Sequence, residues 1–305
     1  MDILSVEHLS KNFGANKIIE DLTFSVQEHS IFGFIGQNGA GKTTTMKMVL
    51  GLLKPTSGNI TVCGEHVTYG ETKTNKYIGY LPDIPEFYGY MKPYEYLKLC
   101  GEITGLSSEK IKSKSEELLT LVDLDKANKK IGGFSRGMKQ RLGIAQALLN
   151  EPKLLICDEP TSALDPIGRK EILDILYQVK GKTTVVFSTH ILSDVERICD
   201  HIALLHGGKI ALSGTLSDVK SKHKQDGLLI EFASQTDTRA FLDAPQLVPY
   251  ITNVEQNNTR LILHTQDVQK LEVAVIAIIS ERHLLPIKFE VLEPTLESLF
   301  MEVVK

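Results

Sequence analysis

The first 220 or so residues alternate between short apolar runs and amphipathic segments. "KLLICDEP" and "TTVVFSTH" are continuous apolar runs that end in polar residues. This pattern is typical of buried parallel strands whose carboxyl ends carry function. "EKIKSKSEELLTLVDL" places its apolar side chains on one face of a helix, and "HIALLHGGKIALSG" predicts two strands around a Gly-Gly turn. The alternation predicts an α/β domain built on a parallel sheet.

A polar, charged stretch without periodicity, "SKHKQDG", predicts a domain boundary near residue 222. After it, strand and helix patterns follow in the order βαββαβα, from "LLIEF" to "TLESLFMEVV". We therefore expect two domains, residues 1–221 and residues 222–305, the second a small α+β domain. This C-terminal part contains no recognisable chemical motif.

Composition and charge narrow the class of protein. A chain of 305 residues is long enough to form two domains. Its net charge of −4 does not indicate the general positive charge that nucleic-acid binding proteins carry. The four cysteines lack metal-ligand spacing, which favours reduced thiols in a cytosolic protein. The N-terminus "MDILSVEHLSKNFG" does not have the pattern of a signal peptide. The longest apolar run, "VAVIAII", is far shorter than the ~20 residues that span a bilayer, so action at a membrane needs another chain.

The stretch "FIGQNGAGKTTTMKM" joins a strand pattern to a helix pattern through a glycine-rich turn. Its spacing from Gly36 to Thr43 fits G-x-x-x-x-G-K-[ST], the phosphate-binding loop. Glycines let backbone N–H groups converge on an anion, Lys42 would meet the β- and γ-phosphates, and the Thr43 hydroxyl would ligate Mg²⁺. The alternative, a chance match, is disfavoured by the flanking strand and helix. The residues expected to bind nucleotide here are Gly36, Gln37, Asn38, Gly39, Ala40, Gly41, Lys42, Thr43 and Thr44.

In a second stretch, "LLICDEPTSALD", an apolar strand ends in two carboxylates. Asp158 is placed to supply a second Mg²⁺ contact, commonly through water. Glu159 is placed to accept a proton from the attacking water or to orient it. Adjacent Asp and Glu after a strand are also common in solvated loops. The phosphate loop upstream and the order along the chain favour the catalytic interpretation.

A third stretch, "GGFSRGMKQRLGIAQALL", is a Ser/Gly turn that opens a helix and forms another anion site. With these three motifs, residues 1 to about 220 resemble the ATP-binding subunits of ABC transporters. The resemblance implies a P-loop ATPase fold with a parallel-sheet core, an antiparallel β subdomain and a helical subdomain. It also implies that two subunits meet head to tail, with each ATP between the phosphate loop of one and the signature turn of the other.

The resemblance assigns roles to five further residues. Ser135 and Gly137 would contact the γ-phosphate bound by the partner subunit. Asp165, in "SALD", would lie at the dimer seam. His190, in "STH", would contact the γ-phosphate and position the water, so that the catalytic residues are Glu159, His190 and Lys42. Phe13 would stack on adenine. Purely structural roles are the alternatives for His190 and Phe13.

The sequence departs from the family pattern at two places. The signature, usually L-S-G-G-Q, is "FSRGMKQR" here, and Arg136 adds a positive charge near the triphosphate. The family places a Mg²⁺-sensing glutamine where this chain has Asp83, in "IGYLPDIPEFYGYMKPYEYL". We hypothesise that Asp83 keeps the metal contact, directly or through water, so that the expected metal ligands are Thr43, Asp158 and Asp83.

Five aromatic residues crowd the segment that follows Asp83. Packing of the helical subdomain accounts for some of them. The others are expected to form a docking groove for a short helix of a membrane partner, because exposed aromatic rings mark interfaces. The five are Phe87, Tyr88, Tyr90, Tyr94 and Tyr96.

The resemblance implies an ATPase that uses ATP and Mg²⁺, pairs with itself or a paralogue, and drives a separate membrane permease from the cytoplasmic face. The C-terminal part resembles extensions found on bacterial exporter subunits, including drug and antimicrobial-peptide efflux systems, which favours export over import. One alternative is a soluble ABC-type ATPase acting on nucleic acid or ribosomes, but the coiled-coil insertion, paired cassettes and basic segments usual there are missing. The other, a non-hydrolysing subunit, is disfavoured because Lys42, Asp158, Glu159 and His190 are all present.

Overall fold

The central sheet has six strands in the order β10-β9-β3-β8-β7-β6, in a computed structural model that describes residues 2–222, 227–292 and 295–304. All its neighbouring strands pair in parallel except β10, which is antiparallel to β9. The predicted parallel core is confirmed, and β3, β7 and β8 are buried along their whole length. The strands are β3 (Ile31–Gly36), β6 (Ile78–Leu81), β7 (Leu154–Cys157), β8 (Thr184–Thr189), β9 (His201–His206) and β10 (Lys209–Thr215).

An antiparallel sheet in the order β2-β1-β4-β5 packs against this core. One cluster of buried side chains joins the two sheets, with Leu22 and Ile60 from the antiparallel sheet and Phe32 and Ile156 from the parallel one. This cluster fixes the antiparallel sheet beside the end of β3, where the phosphate loop begins. The strands are β1 (Asp2–Phe13), β2 (Asn16–Gln27), β4 (Ser57–Val62) and β5 (Glu65–His66).

Within the described residues, six α-helices complete the first unit. The side chains of Ser107, Ser135 and Asp165 each accept a hydrogen bond from the backbone N–H three residues on, which fixes where three of these helices begin. Helices α2, α3 and α4 contact one another and form the expected helical subdomain. The helices are α1 (Lys42–Val49), α2 (Pro93–Ile103), α3 (Ser108–Leu121), α4 (Arg136–Leu148), α5 (Pro166–Val179) and α6 (Leu192–Ile198).

The chain divides into two compact units, Met1–Leu216 and Ser217–Lys305. The second contains an antiparallel sheet in the order β12-β13-β11-β14. The boundary expected between residues 221 and 222 stays a prediction, since residues 223–226 lie outside the described residues. From α7 on, the elements are α7 (Leu216–Lys222), β11 (Gly227–Phe232), α8 (Gln235–Leu242), β12 (Asn253–Asn257), β13 (Arg260–His264), α9 (Val268–Glu281), β14 (Pro286–Leu292) and α10 (Leu296–Val304).

Within the described ranges, none of the helices combines the length and the apolar character needed to cross a membrane.

Candidate nucleotide-binding site

The glycine-rich turn connects the end of β3 to the start of α1. Gly39 and Gly41 have φ angles of 83° and 107°, in the left-handed region that favours glycine. A Cβ at Gly41 would lie 2.3 Å from Cδ1 of Ile19, and a Cβ at Gly36 would lie 2.7 Å from the carbonyl oxygen of Leu205. Glycine is therefore required at these positions by backbone conformation and by close packing.

Lys42 is only 5% exposed, although it carries a charge. Its Nζ donates hydrogen bonds to the carbonyl oxygens of Gly36 (2.7 Å) and Gln37 (3.2 Å). The same Nζ lies 3.0 Å from Oε1 of Glu159. A nearly buried ammonium is retained only when it is paired, and the loop and the carboxylate together provide that pairing.

Asp158 follows β7 and is held by the adjacent strand β8. Its Oδ1 accepts a 2.7 Å hydrogen bond from the hydroxyl of Ser188, which is fully buried. The Ser188 oxygen in turn accepts a 2.9 Å bond from the backbone N–H of Glu159. One hydroxyl thus fixes both residues of the Asp-Glu pair. The polar end of the run "VVFSTH" was the available signal for this residue, which the sequence analysis did not assign.

Glu159 has a φ of 49°, an unusual conformation for a residue other than glycine. Its Oε2 lies 2.9 Å from Nδ1 of His190, and its Oε1 contacts Lys42. The carboxylate therefore lies between an ammonium and an imidazole. Strained backbone at such a position is typical of functional sites.

Lys42, Glu159 and His190 line a cavity of about 370 Å³, whereas Asp158 is not among its lining residues. Most of the phosphate-loop residues expected from the sequence line it, together with side chains from three later segments of the chain. Ser162, which the sequence analysis did not single out, also lines it. The lining residues are Asn38, Gly39, Gly41, Lys42, Thr43, Thr44, Asp83, Glu159, Ser162 and His190.

The remaining residues assigned by resemblance lie elsewhere. Ser135 begins α4, where its hydroxyl oxygen accepts a 3.2 Å hydrogen bond from the N–H of Met138, and neither it nor Gly137 lines this cavity. Phe13 is 50% exposed at the end of β1, with Nζ of Lys11 4.7 Å from its ring centre. An exposed ring is available for stacking on a base. The roles of these residues stay predictions.

The two residues at which the sequence departs from the family pattern, Asp83 and Arg136, contact each other. Nη2 of Arg136 donates a 3.1 Å hydrogen bond to Oδ1 of Asp83. The side chain of Gln140, also on α4 and fully buried, donates a 2.6 Å bond to the Asp83 carbonyl oxygen. Both the backbone and the carboxylate of Asp83 are thereby hydrogen-bonded to α4, the helix that begins at the signature turn. The sequence pattern gave no indication that these two residues meet.

Partial burial raises the pKa of the Asp83 carboxyl, Arg136 opposes this change, and the carboxylates of Asp158 and Glu159 reinforce it. A third carboxylate close to two others is costly to keep ionised. A cation at this edge of the cavity would offset that cost. The metal contact of Asp83 stays a prediction.

A metal ion here would depend on few protein ligands. The described part of the chain contains no group of three or more His, Cys, Asp or Glu side chains arranged to hold a metal. Mg²⁺ commonly uses one or two carboxylates, phosphate oxygens and water. Thr43, exposed at the start of α1, and the fixed carboxylate of Asp158 fit that requirement.

A buried network holds the segment that follows Glu159. Thr161 donates a 2.7 Å hydrogen bond to Oδ2 of Asp194, and Arg169 donates a 2.5 Å bond to Oδ1 of the same carboxylate. Asp194 is buried on α6. Because its partners are 33 and 25 residues away in the chain, no local pattern indicated this role.

The aromatic segment divides as expected into packed and exposed rings. Tyr96 is buried and its ring centre lies 5.0 Å from that of Phe87. Tyr88, Tyr90 and Tyr94 are exposed. Beside them is a cavity of about 460 Å³, whose lining residues are Asp83, Ile84, Pro85, Glu86, Phe87, Gly89, Ile131, Gly132, Arg136 and Lys139.

Comparisons with known proteins agree with this geometry. A family model described as "ABC transporter" matches residues 19–162. A second, described as "ATP-binding protein DrrA1-3-like, C-terminal domain", matches residues 214–304. The chain is also 37% identical over 303 residues to the "Uncharacterized ABC transporter ATP-binding protein YxlF" of Bacillus subtilis (strain 168), covering 99% of each protein.

Two further relatives carry more specific names. The "Bacitracin transport ATP-binding protein BcrA" of Bacillus licheniformis is 40% identical over 226 residues, 73% of each chain. The "Linearmycin resistance ATP-binding protein LnrL" of Bacillus subtilis (strain 168) is 32% identical over 305 residues, 99% of this chain and 98% of that one. A solved structure entitled "Structure of ATP binding subunit of ABC transporter" is 35% identical, with a TM-score of 0.65 over 72% of this chain and 92% of that chain.

Proposed function

Because the chain belongs to the ATP-binding proteins of ABC transporters, we propose that it hydrolyses Mg·ATP in a sandwich dimer and drives an export permease of the kind found in bacteria. The chain is an ATPase subunit of a transporter and not an ATPase acting on nucleic acid. What we propose beyond this assignment is which residues catalyse hydrolysis, which metal ion they hold, which partners the chain binds, on which membrane face it acts and what is transported.

The observation that carries the proposal is the position of the Lys42 ammonium, 3.0 Å from the Glu159 carboxylate and surrounded by the phosphate loop. Phosphate oxygens would take the place of this carboxylate on Lys42. Glu159 would then be released to orient the attacking water and accept its proton. His190, 2.9 Å from Glu159, would hold that carboxylate in position and contact the γ-phosphate.

Bound Mg²⁺ would neutralise the charge that develops on the phosphate oxygens. Thr43 and Asp158 would hold it. The hydrogen bond from Ser188 supports this role for Asp158, because it fixes the carboxylate while occupying only one of its two oxygens.

The proposed dimer pairs this chain with itself or with a paralogous subunit. Ser135 and Gly137 would contact the nucleotide of the partner subunit. Their position outside the cavity that contains Lys42 supports this role. Hydrolysis would remove the γ-phosphate contacts that hold the two halves together.

The permease would dock at the exposed aromatic rings and the cavity beside them, placing the chain on the cytoplasmic face of the membrane. The cargo is proposed from the relatives named for bacitracin transport and linearmycin resistance. We infer export of an antimicrobial compound. The match of residues 214–304 to the DrrA1-3-like C-terminal domain supports the same direction of transport.

The test uses a tagged Glu159→Gln variant, which should bind Mg·ATP and lose at least about 100-fold in hydrolysis because a general base is worth that much or more. Membranes of the source cell are solubilised in mild detergent with Mg·ATP, and the co-purifying proteins are identified. We expect an integral membrane protein with several spans. Lys42→Ala is the control, since it should lose nucleotide binding. Recovery of ribosomes, nucleic acid or no membrane protein would contradict the proposal.

A further inference from the structure

The strand β14 lies at one edge of the C-terminal sheet, and within the described residues no strand pairs with its outer side. Natural proteins usually protect such edges with polar or charged residues, because unpaired strands recruit other chains. The opposite edge strand, β12, has that protection in its sequence "NVEQN". The strand β14 reads "PIKFEVL", in which large apolar side chains alternate with charged ones.

The apolar side chains of β14 continue the buried face of the sheet. Phe289 pairs with Ile230 of β11, and Val291 pairs with Leu228. Side chains of directly paired residues point to the same face. Ile230 and Leu228 are fully buried in the core that includes α9, yet Ile287, Phe289 and Val291 are 67%, 37% and 41% exposed. The apolar face therefore extends beyond the part that the chain itself covers.

The strand is complementary to itself in one antiparallel register. Within one chain, Nζ of Lys288 lies 2.5 Å from Oε2 of Glu290. With a two-fold axis at Phe289, Lys288 of each copy also lies opposite the partner's Glu290, so that the four charges alternate in sign. In the same register, Ile287 lies opposite the partner's Val291, and the two Phe289 rings meet on the apolar face. Opposite charges and apolar pairs in direct cross-strand contact both stabilise a sheet. A contact in which the same strand serves both copies is the kind that closes a two-fold dimer.

Neighbouring registers lose this complementarity. A shift of two residues places Lys288 against the partner's Lys288, or Glu290 against the partner's Glu290, and like charges directly opposite are destabilising. A shift of one residue sets apolar side chains opposite charged ones, so the two apolar faces point to opposite sides of the sheet. The charge pattern therefore selects one register.

We propose that β14 pairs with β14 of a second copy of this chain, joining the two four-stranded sheets into one of eight strands. The contact uses no residue of the nucleotide site, so it forms without ATP. It goes beyond the proposed function, in which ATP itself joins the subunits. Through it, two ATPase units stay at a high effective concentration for each other after the ATP sandwich opens.

Charge reversal tests the register in the nucleotide-free full-length chain with EDTA, measured by sedimentation velocity. The wild type is expected to be a dimer. Lys288→Glu and Glu290→Lys should each weaken the dimer by at least about tenfold, because two attractive pairs become repulsive. The double variant should restore it, and an equimolar mixture of the two single variants should form mixed dimers. Gln256→Lys on β12 is the matched control and should leave the dimer unchanged.

A wild type that is monomeric without nucleotide would overturn the proposal, as would a dimer that survives Lys288→Glu. Binding of a fluorescent ATP analogue, measured on every variant, reports the nucleotide site separately, so failure of this contact is distinguishable from failure of the proposed function. If the charge variants do not fold, Phe289→Cys replaces them. Oxidation should then give a covalent dimer, since opposed residues in an antiparallel pair lie within disulfide reach. Gln256→Cys and the wild type should not cross-link, and absence of the Phe289→Cys dimer overturns the proposal.

Discussion

Ser188 connects the two acidic residues of the candidate site through a single oxygen. Its hydroxyl donates to Asp158 and accepts from the backbone of Glu159, and it is buried between two strands of the parallel sheet. Such a group acts on the chemistry through the orientation of its partners. It is therefore a positioning residue in the proposed mechanism.

Ser188→Ala should lower kcat about tenfold or more, because it leaves a buried carboxylate oxygen and a buried N–H unpaired. It should also raise the Mg²⁺ concentration at half-maximal activity, since Asp158 is no longer held. Steady-state hydrolysis across a Mg²⁺ titration measures both effects. Ser213→Ala, on the exposed face of β10, is the control. An unchanged Mg²⁺ midpoint would show that Ser188 is only part of the core.

Asp83 and Arg136 should shift the Mg²⁺ dependence in opposite directions. Asp83→Ala removes the proposed metal contact and should raise the Mg²⁺ midpoint. Arg136→Ala removes the cation that occupies the same carboxylate and should lower it. Both side chains are partly exposed, so the ion pair itself is worth no more than about 1 kcal/mol of stability.

Thermal unfolding of the two variants and of the double variant checks that stability is little changed. If the Mg²⁺ curve of Asp83→Ala matches that of the wild type, the carboxylate serves the signature helix alone and the metal hypothesis fails.

At the scale of elements, Glu151, which follows the end of α4, forms ion pairs with two lysines of α3. Its carboxylate lies 2.7 Å from Nζ of Lys110 and 2.8 Å from Nζ of Lys114. Hydrogen bonds from Lys110 and then Lys114 lower the pKa of Glu151 from 4.5 to about 2. Because the folded pKa lies below the unfolded one, the stabilisation is present above pH 4.5 and is lost as the pH falls towards 2.

Glu151→Gln should therefore lower the free energy of unfolding at pH 6, by no more than about 1 kcal/mol because the pair is half-exposed. The difference from the wild type should shrink as the pH falls from 6 towards 3. Urea unfolding at both pH values measures it, and Glu116→Gln on the exposed face of α3 is the control. A difference that does not change with pH would show that the ion pairs contribute nothing.

At the scale of the whole molecule, the proposed ATP-sandwich dimer predicts that two inactive variants regain activity when they are mixed. Lys42→Ala has a damaged phosphate loop and an intact signature turn, whereas Ser135→Arg has the reverse. A mixed dimer contains one complete site. Since random pairing makes half the dimers mixed, an equimolar mixture should reach about a quarter of wild-type ATPase activity.

Hydrolysis rates of the mixture and of each variant alone measure this complementation. Activity no higher than the mean of the two variants would place both motifs in one chain's own site. Lys42→Ala alone, at the total protein concentration of the mixture, is the control for concentration effects.

The sequence by itself determined the phosphate loop, the Asp-Glu pair and the order along the chain of the strands that carry them. These features are local, because glycine spacing fixes a turn and an apolar run fixes a buried strand over a few neighbouring residues. The family resemblance followed from the same motifs, and the exposed and buried halves of the aromatic segment were also anticipated.

Only the tertiary structure decided which distant residues meet. Strands β3, β8 and β7 are neighbours in the sheet although they are far apart in the chain, and this order brings Ser188 to Asp158 and His190 to Glu159. The contact of Arg136 with Asp83 spans 53 residues. The exposed edge of β14 likewise depends on which strand pairs with β11. Such contacts are set by packing between elements, and spacing along the chain carries no record of that packing.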